Sequence, residues 1–366
     1  MRGAHEETEG SGNVNEKKPE FPETLDFRME KIRELNYGSN PGDPAAFYRI
    51  GGHVDGLPAW KQVFGDPASF NNLREAGLTN RLLQGYDDRA AVAIAKHGIF
   101  AGFAFAPTIE EAREKAKQCD PQANLGGVEV YTRKLTVEIA KHIKADADKE
   151  DIKDVIAAPD FEKGSLDILS NCRKGKYRTR MRVFQTSPLS SFPYDVRFVD
   201  GGVLIEKLPD YRNKLTREEI RVVSKRQPTE EEWLKLFAAW DAVWRVPSNA
   251  VVIGDGRVAD GKLEAFWTSG IGTSTKRNRA AKMATENADD TEMLEAFNLP
   301  YEPRAGGAVA ASDGFFPRTD GLDALGEKGV AVVISGEGGV HAQEVIEAAD
   351  EWGIAYVLYK RRIFSH

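Results

Sequence analysis

The feature that most constrains the fold is an alternation of short apolar segments with amphipathic ones. The first half shows it in six segments, in chain order: Ala90–Ala95, Thr108–Cys119, Gly127–Tyr131, Leu135–Ala145, Asp154–Ala158 and Ser165–Cys172. The first, third and fifth segments have the pattern of buried strands, and the second, fourth and sixth have the pattern of helices. Thr108 is followed by Glu111 at the spacing of a capping box. Such alternation predicts an α/β fold built around a mostly parallel or mixed sheet.

A second α/β region is predicted to begin near Gly201. Its longest helical segment is Glu230–Trp244, where aromatic residues recur at spacings of three and four, which indicates a helix in the core or at a subunit interface. The later segments are the strands Asn249–Ile253, Ala265–Ser269, Val330–Ser335 and Ala355–Tyr359 and the helix Ala342–Trp352. The order of elements from Val330 to Tyr359 resembles that of Val92–Tyr131, with the loop Gly336–Gly339 where the first copy has Lys96-His97.

The length of 366 residues supports two domains. We predict a disordered tail over residues 1–20, which contain almost no large apolar residue, and two α/β domains over residues 21–198 and 199–366.

Composition excludes several classes of function. The formal net charge of −7 gives no broad basic field, so nucleic acid is not the expected partner. Two cysteines, Cys119 and Cys172, are too few for a disulfide framework or a multi-cysteine zinc site. The sequence has neither a signal pattern nor an apolar run of membrane-spanning length. A cytoplasmic protein without a metal is expected.

The pair Lys96-His97 is the leading candidate for chemistry. It ends the strand-like run and precedes the glycine-bearing stretch Gly98–Gly102, which is expected to be a turn. A strand end of this kind predicts side chains at the carboxyl edge of a sheet, where open α/β folds build their sites. Histidine exchanges a proton near neutral pH, and a neighbouring ammonium favours its neutral form. The alternative is a strand that ends in ordinary solvated residues.

A series of short blocks in one order resembles the transformylase half of the bifunctional purine-synthesis enzyme, AICAR transformylase with IMP cyclohydrolase. The blocks begin at Tyr37, Phe70, Lys96, Cys119, Val155, Lys225, Ser248, Ser312 and Arg362. The resemblance runs from Tyr37 to the last residue. We expect this protein to lack the cyclohydrolase domain that normally precedes this half, so ring closure is expected from another protein.

The resemblance implies two cytidine-deaminase-like α/β/α domains with mixed sheets, and a homodimer with sites at its interface. It implies formyl transfer from 10-formyltetrahydrofolate to the 5-amino group of AICAR, without a metal. His97 would be the general base, and Lys96 would stabilise the oxyanion or assist the leaving group.

The resemblance also implies residues that bind the substrates. They are Tyr37, Asn72, Gly127, Asp154, Asn249, Phe315, Asp320 and Arg362. Asn249 would pair with the substrate carboxamide, and Arg362 would clamp the nucleotide phosphate. From the residues alone, asparagines such as Asn72 and Asn249 are more often turn residues, and Arg362 is equally typical of a solvated basic tail. The glycines of Gly336–Gly339 could bind a phosphate or the pterin edge.

Several positions depart from the family pattern. After Lys-His, Ile99 replaces a polar residue of the family and Phe100 replaces a proline. Arg318 replaces an aromatic residue that the family is expected to place near the folate. The family's Gly-Ala-Gly-Gln-X-Ser-Arg segment reads Gly272–Asn278, and Asn36 replaces an arginine. Two phosphate-side cations are thus lost or displaced, whereas Lys276 is new.

These departures leave alternatives open. The nucleotide could be a related amino-carboxamide, the donor could carry a different and more acidic tail, or the chain could be a non-catalytic nucleotide-binding homologue. Zinc-dependent deamination is not expected, because His97 is followed by Gly98-Ile99 and the chain has no Cys-X-X-Cys.

Overall fold

A computed structural model describes residues 21–121, 123, 125–149, 152–172, 181–188, 192–208, 214–290, 295, 304–360 and 363–365. The predicted tail of residues 1–20 lies outside the described residues. All structural statements below concern the described part of the chain.

The strands, in chain order, are β1 Met29–Glu34, β2 Ala46–Ile50, β3 Lys61–Phe64, β4 Ala90–Lys96, β5 Ile99–Ala106, β6 Val128–Tyr131, β7 Val155–Ala158, β8 Arg182–Gln185, β9 Tyr194–Val199, β10 Gly202–Lys207, β11 Ile220–Val222, β12 Ala250–Ala259, β13 Lys262–Thr273, β14 Val309–Ser312, β15 Val332–Gly336 and β16 Ala355–Tyr359. The α-helices are α1 Phe70–Leu82, α2 Ile109–Lys117, α3 Val137–Asp148, α4 Ser165–Ser170, α5 Glu230–Val243, α6 Arg277–Ala288, α7 Asp320–Glu327 and α8 Ala342–Trp352.

Twelve strands form one mixed sheet in the order β11-β16-β15-β14-β12-β13-β5-β4-β6-β7-β8-β3. The halves on either side of the antiparallel β13–β5 contact have the same plan. Each half has an antiparallel hairpin, one further antiparallel neighbour, two parallel strands and an antiparallel edge strand. The α/β fold with a mixed sheet is therefore confirmed.

Helices cover both faces of this sheet. Successive residues of a strand point to opposite faces, so each strand contributes side chains to the core on both sides. In β4, Ala91 and Ala93 join the core cluster that contains residues of α1 and α5, whereas Val92 and Ile94 join the cluster under α2 and α3. A third cluster lies under α6, α7 and α8. The α1/α5 cluster includes strand residues from both halves of the sheet, so one layer of core is continuous across them.

The aromatic stripe of α5 belongs to this shared core. Trp233 and Trp240 are buried, and the rings of Trp233 and Phe237 stack with their centroids 5.8 Å apart. Of the predicted capping box, Thr108 accepts a hydrogen bond from the Glu111 backbone N–H at 3.2 Å. The Glu111 carboxylate binds Arg257 of β12 instead.

The expected turn over Gly98–Gly102 is wrong. The turn consists of His97 and Gly98 alone, and Ile99 already begins β5, which pairs with β4. Gly102 is needed for a close approach: a Cβ there would lie 2.0 Å from the backbone oxygen of Ala116 in α2. A glycine inside a strand therefore marks helix packing here and not a chain reversal.

The proposed counterpart of Lys96-His97 is also wrong. The β4–β5 turn at His97-Gly98 corresponds to the β12–β13 turn at Asp260-Gly261, and Gly336–Gly339 follows a parallel strand. In both turns the two residues have positive φ, 55° and 78° in the first and 49° and 69° in the second. This conformation is that of the type I′ turn, which suits the twist of a two-residue hairpin.

The division into domains at residues 198 and 199 remains a prediction. That position falls in the β9–β10 hairpin, which forms a separate two-stranded sheet.

Candidate active site

The His97–Gly98 turn lies at the same sheet edge as the end of β13 and the start of β12. This follows from the pairing of β13 with β5 and of β12 with β13, both antiparallel. At this edge the parallel strands of the second half end, whereas those of the first half begin. The predicted carboxyl edge therefore applies to β4 and to the second half, and not to the parallel strands beside β4.

A cavity of about 680 Å³ opens beside His97, and we call it the His97 cavity. Its wall includes residues of α1, the β9–β10 hairpin and the segment after α5, among them Arg74, Leu78, Arg197 and Arg245. The side chain of His97 is 78% exposed, and its Nδ1 lies 3.5 Å from Oε1 of Glu75. Glu75 is only 14% exposed, so this carboxylate can orient the ring and leave Nε2 toward a ligand.

The Lys96 side chain leaves β4 on the face of the sheet opposite to the His97 cavity. Ala95 lines the His97 cavity, and strand alternation turns the half-buried Lys96 toward the face covered by α2 and α3. Among the described residues, no hydrogen bond or ion pair holds the Lys96 ammonium. The structure therefore brings His97 to the cavity, whereas Lys96 lies at the same sheet edge and does not line the cavity.

Gly127 and Asp154 lie at the same edge, next to Lys96. Ala95 pairs with Val128 across the β4–β6 ladder, so the preceding Gly127 lies beside Lys96. The backbone N–H of Asp154 donates to the Gly127 carbonyl at 3.0 Å. These two predicted residues are thus neighbours of the Lys-His pair.

A second cavity, of about 630 Å³, gathers three of the predicted residues and is called the Asn249 cavity here. Its lining residues are Asn249, Thr275, Lys276, Arg277, Asn278, Phe315, Pro317, Arg318, Asp320 and Phe364. They come from the residue before β12, the start of α6, the loop after β14, the start of α7 and the C-terminal segment.

Arg277 fixes the floor of the Asn249 cavity. Its buried guanidinium donates to Ser312 Oγ at 2.9 Å, to Asn249 Oδ1 at 2.6 Å and to the buried carboxylate of Asp313. The Asn249 amide nitrogen in turn donates to the carbonyls of Ser274 and Thr275, each at 3.2 Å. In this structure the Asn249 amide is therefore occupied on both sides by protein groups.

The Phe315 ring is seated on the glycine pair of the Gly336–Gly339 loop. A Cβ at Gly338 or Gly339 would lie 3.1 Å from a carbon of this ring. The pair thus supports an aromatic wall of the cavity. Asp320 accepts a hydrogen bond from the Asn278 amide at 2.6 Å, so the residue at the family's arginine position binds a carboxylate of the protein.

The C-terminal segment joins the two cavities. The Phe364 ring lines both of them. Ser365 anchors this segment, since its N–H donates to Ser248 Oγ at 3.1 Å and its carbonyl accepts from Ser248 N–H at 2.7 Å. The predicted Arg362 lies outside the described residues.

Tyr37 and Asn72 occupy the other end of α1. The Tyr37 carbonyl accepts a hydrogen bond from Phe70 N–H at 3.0 Å. Asn72 is buried and forms a reciprocal capping box with Ser69, whose N–H and hydroxyl both approach the Asn72 amide oxygen. The structure thus gives Asn72 a capping role and does not bring either residue into the Asn249 cavity.

Three residues of the site were not predicted as such. Glu75 lies on α1, a helix whose glycine and asparagines obscure its apolar pattern. Phe364 lies in the block that begins at Arg362, the last of the blocks that resemble the family, so the sequence did contain a signal for this residue. Arg277 stands one position before Asn278, the residue at the family's arginine position, and the sequence gives no sign that Arg277 is buried.

Within the described ranges, no group of three His, Cys, Asp or Glu side chains has the proximity that a metal ion needs. Each helix in those ranges is too short or too polar to span a bilayer.

Comparison with known proteins gives the family. Residues 8–287 match the family model described as AICARFT/IMPCHase bienzyme. The chain is similar to the bifunctional purine biosynthesis protein PurH of Halalkalibacterium halodurans, with 33% identity over 350 residues, 95% of this chain and 62% of that protein. The PurH of Neisseria meningitidis is 34% identical over 351 residues, 95% of this chain and 60% of that protein.

The PurH of Acetivibrio thermocellus is 31% identical over 354 residues. The chain spans about 60% of the length of the curated relatives it matches. Because the family model covers most of the sequence, the chain belongs to the AICARFT/IMPCHase bienzyme family.

Proposed function

We propose that this chain transfers a formyl group from 10-formyltetrahydrofolate to the 5-amino group of AICAR, giving FAICAR in purine synthesis. The observation that supports the proposal is the presence of two cavities side by side at one edge of the sheet. His97 opens onto one cavity, and Phe364 connects that cavity to a second one with aromatic and cationic walls. Two adjoining cavities suit a reaction between two heterocyclic substrates. Membership in the AICARFT/IMPCHase family supports the choice of substrates.

The chemistry needs proton transfer and charge stabilisation. The AICAR amine is a weak nucleophile, because its lone pair is delocalised into the imidazole and carboxamide. As the nitrogen attacks the formyl carbon, His97 takes its proton, and the carbonyl oxygen becomes an oxyanion. When the bond from that carbon to N10 of the folate breaks, the proton passes to N10. A general base of this kind, and a cation that stabilises the oxyanion, each increase the rate by about 10²- to 10⁴-fold.

Glu75 and Lys96 complete this assignment. With Nδ1 of His97 held toward the Glu75 carboxylate, Nε2 is the nitrogen that accepts the proton. The Lys96 side chain, unrestrained at the same edge, would supply the positive charge for the oxyanion. Gly127 and Asp154 lie beside it and are proposed to contact the nucleotide.

The test is a spectrophotometric assay of AICAR formylation with 10-formyltetrahydrofolate, run on the parent, Lys96→Ala and His97→Ala. We expect kcat to fall by about 10²- to 10⁴-fold in each variant. Matched controls are Lys163→Ala and His142→Ala, which remove the same side-chain types from exposed positions elsewhere. Parent turnover that survives in His97→Ala would rule out its role as the base, and no parent turnover would refute the proposed reaction.

The family relationship also supports a homodimer with sites at the interface and a cytoplasmic location, and both are part of the proposal. Sedimentation at several protein concentrations would test the dimer. A monomer at the concentrations used in the assay would contradict it.

A second candidate function is formyl transfer with a different one-carbon donor or a related amino-carboxamide nucleotide. The Asn249 cavity supports it, because Arg318 replaces an aromatic residue of the family pattern and Lys276 adds a second new cation. A donor with a more acidic tail that gives a higher kcat/KM than 10-formyltetrahydrofolate would favour this alternative.

A further inference from the structure

The Asn249 cavity carries more positive charge than its own acidic groups balance. Its cationic lining residues are Lys276, Arg277 and Arg318, and its acidic lining residue is Asp320. Arg277 is neutralised beneath the cavity by the buried Asp313. Asp320 accepts a hydrogen bond from the neutral Asn278 amide, so its own charge balances one of the two remaining cations.

Lys276 and Arg318 differ from Arg277 in being exposed. Among the described residues, no hydrogen bond or ion pair holds the Lys276 ammonium or the Arg318 guanidinium. They come from different elements, the start of α6 and the loop before α7, and line the same cavity. Among the described lining residues Asp320 is the one carboxylate, so Lys276 and Arg318 leave an excess of one positive charge that solvent or an anionic ligand can compensate.

Aromatic rings complete the wall of the Asn249 cavity. Phe315, backed by its glycine pair, and Phe364 both face the cavity. Ring faces beside exposed cations suit a flat heterocycle that bears an anionic group.

We infer that Lys276 and Arg318 form an anion subsite for the carboxylate or phosphate oxygens of such a ligand. The inference rests on the proposed function, because that function supplies two ligands of this class. One is the folate with its glutamate carboxylates, and the other is the nucleotide with its phosphate. Arg277, by contrast, is a positioning residue that holds Asn249.

The experiment compares the parent with the double variant K276Q/R318Q and with the matched control K262Q/K282Q, which removes two exposed charges outside the cavity. KM and kcat are measured for AICAR and for 10-formyltetrahydrofolate with one or three glutamates, at low and high ionic strength. We expect KM of one substrate to rise about 5- to 30-fold in the double variant, with kcat within about threefold of the parent. The difference should shrink as salt increases.

The substrates identify the anion. A lost preference for the triglutamate donor assigns the subsite to the folate carboxylates. A raised KM for AICAR, with the donor unaffected, assigns it to the phosphate. KM values for both substrates within twofold of the parent would overturn the inference even though formyl transfer itself proceeds.

Calorimetry separates this inference from the proposed reaction. If the parent shows no turnover, AICAR, pteroyltriglutamate and inorganic phosphate are titrated into all three proteins. Binding that the parent and the control share and the double variant loses by 5-fold or more supports the subsite. No binding to the parent, or equal binding to all three, overturns it.

Discussion

The absence of a side chain at Gly314 determines the shape of the Asn249 cavity. A Cβ at this position would lie 2.7 Å from Nη2 of Arg277 and 2.7 Å from Cε1 of Phe364. The guanidinium and the ring are themselves close, with Cζ of Arg277 5.8 Å from the ring centroid. Any side chain at residue 314 must therefore displace one of them.

Gly314→Ala is predicted to lower kcat/KM about tenfold or more, because it moves either Phe364 between the cavities or Arg277 beneath Asn249. Steady-state kinetics with both substrates measures this effect. The control is Gly306→Ala, since a Cβ at Gly306 would meet only the Lys328 carbonyl, at 3.9 Å. Equal activity in the two variants would show that the cavity tolerates the displacement.

Residue roles were only partly predictable from the sequence. His97 lines a cavity at the end of β4, whereas its role in the reaction stays a prediction. The occupied amide of Asn249 was not predictable, since it depends on Arg277, which comes from a helix 28 positions later. Contacts across such separations have no local sequence signal.

At the scale of elements, one buried ion pair ties the start of α6 to the end of β14. Arg277 and Asp313 are almost fully buried, and Ser248 also contacts the Asp313 carboxylate. Ser248 in turn holds Ser365 of the C-terminal segment. Four elements of the second half thus depend on a single carboxylate.

Asp313→Asn is predicted to lower the free energy of unfolding by about 3 kcal/mol or more, because it leaves the Arg277 charge buried without a counter-ion. Urea denaturation measures the change. Arg257→Gln serves as a comparison, since it breaks the exposed pair with Glu111 and is expected to cost no more than about 1 kcal/mol. Similar costs for the two variants would contradict the assigned role of burial.

Element types were well predicted where periodicity was strong, as in α5 and in the buried strands. The strand β5 was missed because Gly98 and Gly102 were both interpreted as turn residues. Only Gly98 is one, whereas Gly102 allows α2 to pack on the strand. A sequence does not distinguish these two uses of glycine, because helix packing involves residues distant along the chain.

At the scale of the whole molecule, the two halves of the sheet differ in how they use the same topology. The second half places its Asn249 cavity where its parallel strands end. The first half instead buries a charged cluster under α2, in which the Glu129 carboxylate accepts from Arg113 Nε at 3.0 Å and Nη2 at 3.2 Å. Lys153 approaches the same carboxylate to 3.8 Å.

This cluster predicts a pH dependence of stability. Burial alone would raise the pKa of Glu129, but the charges of Arg113 and Lys153 outweigh it and lower the pKa to about 2. A carboxyl whose pKa is lower in the folded state stabilises the fold above its unfolded pKa, near 4.5. That stability, about 3 kcal/mol, is lost as the pH falls from about 5 toward 2.

Glu129→Gln is predicted to be less stable than the parent at pH 7 and to lose less further stability on acidification. Thermal unfolding between pH 7 and pH 3 tests this, with the exposed Glu138→Gln as the control. Parallel stability curves for the parent and Glu129→Gln would exclude Glu129 as a source of the acid dependence.

The central claim is that the His97 cavity and the Asn249 cavity serve one reaction. The most direct measurement follows an isotopically labelled formyl group from 10-formyltetrahydrofolate to AICAR in the parent, His97→Ala and Phe315→Ala. One substitution lies in each cavity. We predict label in the nucleotide with the parent and a loss of at least about 10²-fold in His97→Ala and 10-fold in Phe315→Ala. Undiminished transfer by either variant, or no transfer by the parent, would contradict the claim.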